Sequence, residues 1–160
     1  MNDPVAMREV GLINLENGDH QTAFRFISKA AELGNANAHS SLAALYRFGH
    51  GCEMDPKKEL YHMQEAAIGG CPEARCNLGL MEGRKGQFMR AMNHFIIAAK
   101  LGHARSLEEV KIGYKCGVVK KEDFTLALRG YQAAVEATKS TLRDAATRAI
   151  KSRGVKIRQF

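Results

Sequence analysis

The 160-residue chain has no tryptophan, only three prolines and no apolar run approaching the roughly 18 residues that a membrane span requires. A transmembrane segment is therefore not expected. Sheet-rich folds fit poorly with so few aromatics and so much alanine; helix fits well. Cysteine is sparse too. Cys52, Cys71, Cys76 and Cys116 are spaced neither as a dense disulfide framework nor as paired zinc knuckles, which points to reduced thiols. The start, Met1-Asn2-Asp3-Pro4-Val5, shows neither a basic leader nor an apolar core of a secretory signal, so the expected location is cytoplasmic, a nuclear one also being compatible. Acidic residues are too few to balance the basic ones, and the net charge is +7. That excess is local: from Lys139 to Phe160 seven Lys and Arg face Asp144 alone, while the preceding residues are nearly neutral.

What the chain does have is a repeat. Alanine pairs fall at Ala30-Ala31, Ala66-Ala67, Ala98-Ala99 and Ala133-Ala134, at spacings of 36, 32 and 35 residues. The first three are followed by glycine, at Gly34, Gly70 and Gly102, and then by alanine again, at Ala38, Ala74 and Ala104; Ala6 holds the same place at the start. Apolar residues inside a unit follow a helical period, as in Leu42, Leu45, Tyr46 and then Leu60, Met63, Ala66, Ala67. Asp3 before Pro4 and Cys71 before Pro72 mark helix starts, Asp55 before Pro56 caps another, and glycine closes the second helix of a unit. Each unit is thus expected to be a helical hairpin, with units over 3–34, 35–70, 71–102 and 103–138. A basic helix with a frayed end is expected over 139–160. The predicted class is all-α, a right-handed superhelix of about four hairpins closed by that helix as a cap, since stacked hairpins bury the faces that none can bury alone.

The unit from Ala38 to Gly70 resembles the Sel-one-like repeat, a relative of the tetratricopeptide repeat. The resemblance rests on Ala38, Leu42 and Tyr46, the loop Gly49-His50-Gly51-Cys52-Glu53-Met54-Asp55, and Glu65-Ala66-Ala67. The aromatic place four residues before each alanine pair here reads Phe26, His62, His94 and Arg129. The stretch from Gly113 to Phe124 resembles the ending of a subgroup common in diatoms and related algae, in which a RING-type zinc domain often precedes further repeats. The resemblance implies a non-enzymatic adaptor that binds a protein or peptide, as relatives scaffold complexes, some in degradation and signalling. By alignment to tetratricopeptide arrays it places Arg8, Ser40, Arg47, Cys76, Glu108 and Lys115 on the inner groove.

His62, Cys71 and Cys76 could hold a metal only with a converging fourth ligand, and neither His39 nor Cys52 has a recognisable spacing. No metal, cofactor or catalytic residue is expected: a Cys-His pair would need a positioned base and an oxyanion pocket, and Gly49-His50-Gly51 lacks a phosphate loop's lysine and hydroxyl. His62 and His94 are expected to pack as rings. The rival to the adaptor is a weak binder of nucleic acid or anionic membrane through the basic end, although no strong nucleic-acid signal is present. A homodimer through an exposed array end is a further possibility of such arrays.

Overall fold

The computed structural model describes residues 3–152. Among them there is no strand, and eight helices follow one another: α1 (Pro4–Glu16), α2 (His20–Glu32), α3 (Ala36–Phe48), α4 (Pro56–Ile68), α5 (Pro72–Arg84), α6 (Phe88–Lys100), α7 (Ala104–Lys115) and α8 (Lys121–Ser152). All three prolines stand at helix starts, where the missing N–H costs nothing. Asp3, Asp19, Asn35 and Asp55 cap α1 to α4 by accepting backbone N–H bonds. The Thr22 side chain together with its backbone N–H holds the Asp19 carboxyl below the usual range, and the Lys58 and Lys57 N–H groups do the same for Asp55. Gly34, Gly70 and Gly102, at φ of 84°, 86° and 90°, make the left-handed closures that the sequence predicts.

The helices pair as hairpins, α1 with α2, α3 with α4, α5 with α6 and α7 with α8, and each hairpin packs on the next. The first three alanine pairs do the stacking: Ala30, Ala31, Ala66, Ala67, Ala98 and Ala99 are all buried, and Ala38 and Ala74 of the following helices are fully covered. Small side chains here let backbones approach closely. The result is an all-α helical solenoid with three core clusters along its length.

The fourth unit departs from the expected register. Ala104 is exposed, and Ser106 is the fully buried residue at the place of Ala38 and Ala74, counted from the caps His103, Asn35 and Cys71. Its hydroxyl lies 2.9 Å from His103 Nδ1, so the burial leaves no unpaired polar atom. Ala133 is exposed and Ala134 half-buried; Ala127, Leu128 and Tyr131 pack in their stead.

The terminal helix is also corrected. No glycine stops α8 after the alanine pair, so it runs through Thr138 and Lys139 as one helix of 32 residues. Residues 139–149 are exposed on every side and cover no face of the array, because a helix continuing along its own axis cannot fold back onto the last hairpin. The expected frayed end, 154–160, lies outside the described residues.

Candidate functional site

The six groove residues lie one or two to a unit on the first helices, α1, α3, α5 and α7, and none pairs with another. Arg8 is three-quarters covered and lies 2.6 Å from its neighbour Glu9. Ser40 is half-buried. Arg47 is exposed and reaches across its hairpin to Glu59 of α4, with Nη2 2.6 Å and Nε 2.7 Å from the same Oε1. Glu108 is exposed and pairs with Lys111 one turn on, at 2.6 Å. Lys115 is exposed and makes no ion pair among the described residues.

Cys76 is the correction in this set. It is 2% exposed and packs among Ala91, Phe95, Ala99 and Leu107. Counted from the helix caps it stands where Ser40 and Glu108 stand, but a small apolar side chain there lets α6 and α7 close over it. Its thiol belongs to the core and is not presented to a ligand.

Sequence reasoning missed the cross-hairpin pairings. Glu59, in the first turn of α4, gives no signal in the sequence of the pairing it makes. The rings of His39 in α3 and His62 in α4 meet with their Nδ1 atoms 3.0 Å apart, one donating and the other accepting. His62 also stacks on Tyr46, 5.5 Å between centroids and 3° from parallel, so it packs as a ring as expected. Lys58 Nζ stands 5.2 Å from the Tyr46 centroid on the same side of the unit. His94 repeats the place of His62 in α6 and is half-buried. Among the described residues no group of three or more His, Cys, Asp or Glu converges to hold a metal ion. All four cysteines are free; burial pushes the Cys52 thiol up, away from the reactive thiolate. No described helix is long and apolar enough to cross a membrane.

Both histidines carry a consequence for stability. Burial is the main cause holding His62 below the ordinary value of about 6.5, with His39 and Lys58 adding to it and Glu65 opposing. Burial likewise holds His94 down, helped by Arg75 and Arg90 and opposed by Glu82. A folded pKa below the unfolded one means that the unfolded chain binds the proton more readily. The contribution is therefore present above about pH 6.5 and is lost as pH falls towards the folded values. The urea midpoint is expected to be lower at pH 5.5 than at 7.5, and His62→Phe with His94→Phe to flatten that difference; a midpoint equal at both pH values would contradict the assignment.

No family model matches the chain, and no curated protein does. Among solved structures, it is similar to the crystal structure of a Sel1 repeat protein from Oxalobacter formigenes, with a TM-score of 0.68 at 23% identity over 84% of this chain and 58% of that one. It is also similar to c5321, a protective antigen present in uropathogenic Escherichia coli strains displaying an SLR fold, with a TM-score of 0.61 at 21% identity over 99% of this chain and 34% of that one. The chain thus spans less than two thirds of either protein. At these identities the likeness establishes the fold: the chain is a helical-repeat solenoid built as those Sel1-repeat structures are built.

Proposed function

We propose that this chain is a non-enzymatic adaptor that binds a peptide or helix of a protein partner along the first helices of its units. The observation that carries the reading is the row of exposed charges of both signs on those helices, Arg47 on α3 with Glu108 and Lys115 on α7. Ser40 and the partly covered Arg8 extend it towards α1. Stacked hairpins create an extended surface suited to a chain-like ligand, and mixed charges set its register. Arg47 keeps 42% of its side chain exposed while it bonds the largely covered Glu59, so its outer face is open to a partner's carboxylate. The reading carries a cytoplasmic location and no cofactor. The similarity of its ending to the algal subgroup supports work beside further repeats.

Affinity capture with the wild-type chain and with Arg47→Glu plus Lys115→Glu tests it. The double reversal is expected to lose partners by about tenfold or more in affinity, two charge pairs being turned repulsive. An unchanged partner set would sink the groove.

Two further observations support narrower readings. Val5 and Ile13 on α1 are 57% and 56% exposed, which supports a second copy stacking at that end of the array. Lys139, Arg143 and Arg148 stand exposed on the projecting half of α8, which supports salt-sensitive binding to nucleic acid or anionic membrane.

A further inference from the structure

Two cavities occupy the same place at successive joints of the array. The first, of about 440 Å³, lies between α2, α3 and α4. The second, of about 450 Å³, lies between α4, α5 and α6. Counted from the helix caps, Leu60 of the second stands where Phe24 stands in the first, Arg75 where His39 stands, Glu82 where Tyr46 stands and His94 where His62 stands. At the third joint the space is filled: Leu107 takes the place of Arg75, and Met92, Ile96 and Phe124 pack with it.

The two open cavities differ in how their polar groups are met. In the first, His39 and His62 bond each other and Tyr46 stacks on His62. In the second, Arg75 Nε, Glu82 Oε2 and His94 Nδ1 are buried without a hydrogen bond. The Glu82 charge is nevertheless met, by Arg90 at 3.6 Å and Lys85 at 3.9 Å. Arg75 has no carboxylate and makes no hydrogen bond among the described residues. Burial together with the Arg75 and Arg90 charges holds His94 below its ordinary value and favours the neutral ring, and Arg75 is the cation of the inner wall that has no ion pair among the described residues. Leu60, Ala67, Leu78 and Met81 give the wall its apolar part, and Gln64 and Glu65 of α4 also line it, the three cations Arg75, Lys85 and Arg90 outnumbering the two carboxylates Glu65 and Glu82.

A buried Nε–H without an acceptor, on the half-buried Arg75, lowers stability, and such departures from local satisfaction concentrate where a ligand supplies the missing partner. We propose that the α4–α5–α6 cavity receives an acidic side chain of a partner peptide, its carboxylate on Arg75 and an adjoining apolar residue against Leu60 and Met81. Arg forms a planar fork for a carboxylate, which gives the contact both strength and orientation. Ile68, Lys85 and Arg90 at the rim are exposed, leaving the peptide free to run out over the helix surface. The inference rests on the protein-binding reading but uses none of the groove residues.

The test is an NMR titration of the full chain with N-acetyl-Leu-Asp-Leu-amide and its Leu-Asn-Leu counterpart, following the Arg75 Nε–H signal and the amides of Leu60 and His94. Wild type is expected to shift saturably with the Asp peptide and about tenfold more weakly with the Asn peptide. Arg75→Met is expected to lose the Asp preference while melting no lower than wild type, because it removes an unpaired donor and keeps the apolar stem. Arg47→Glu with Lys115→Glu is expected to titrate as wild type, which separates failure of the groove from failure of this site. No saturable shift, equal response to both peptides, full binding by Arg75→Met, or a clearly lower melting point of that variant would overturn the proposal.

Discussion

Phe95→Ala is expected to cost about 3–5 kcal/mol, measured as the drop in unfolding free energy from urea titration. Phe95 is 3% exposed and sits in the cluster that joins α5, α6, α7 and α8, with Cys76, Leu107 and Val110 around it. Truncation removes a large ring from the seam between the third and fourth units, where Ala91 and Ala99 on the same face of α6 are already packed into the cluster and leave the helices little room to close. Against a total stability of about 5–15 kcal/mol for a domain, the loss is large enough to unfold much of the chain at body temperature. A loss under about 1 kcal/mol would mean that Phe95 is not in a packed core.

Gly79→Ala is expected to cost about 1–3 kcal/mol, although alanine is the better helix former. A methyl group there would stand 2.7 Å, 2.9 Å and 3.0 Å from three atoms of the Phe95 ring, which is held by the cluster and has no room to retreat. Gly83, one turn further along α5, is the control. A methyl group at Gly83 meets only Ala91 Cβ at 3.8 Å, so Gly83→Ala is expected to stabilise by up to about 1 kcal/mol through backbone entropy. In a Phe95→Ala background the Gly79→Ala penalty is expected to shrink, because the two changes act on one contact and are not additive. Equal penalties in both backgrounds would place Gly79 elsewhere in the packing.

The hairpin array was legible because its signals are local. A glycine after an alanine pair, a proline behind a capping residue and a 3.6-residue period each act within one or two turns, and Gly34, Pro72 and Leu42 mark the elements they are expected to mark. The fourth unit was read less well for the same reason. Ala104 and Ala133-Ala134 matched the spacing, whereas burial depends on which face meets α6, and that selected Ser106, Ala127 and Tyr131. Helical position alone did not fix the groove either, since Cys76 shares its helical place with Ser40 and Glu108 yet lies inside. The contacts with most chemical content, Arg47 with Glu59, His39 with His62, and the unmet Arg75 beside His94, join residues on different helices. Their distances depend on how hairpins stack, which no single period reports.

The continuation of α8 bears directly on what the chain does. A cap would tie the basic segment to stability, whereas an exposed helix leaves it free either to bind something or to do nothing. Charge on an exposed helix binds polyanions weakly and with steep salt dependence, a behaviour distinct from capture of a peptide by a stacked surface.

Deletion of everything after Thr138, followed by both urea unfolding and partner capture at low and moderate salt, separates these most directly. The adaptor reading predicts an unfolding midpoint close to that of the full chain and an unchanged set of captured proteins, because the described residues removed touch no core. Loss of partners with the tail, in step with salt-sensitive binding of the full chain, would contradict it and move the function to the basic segment.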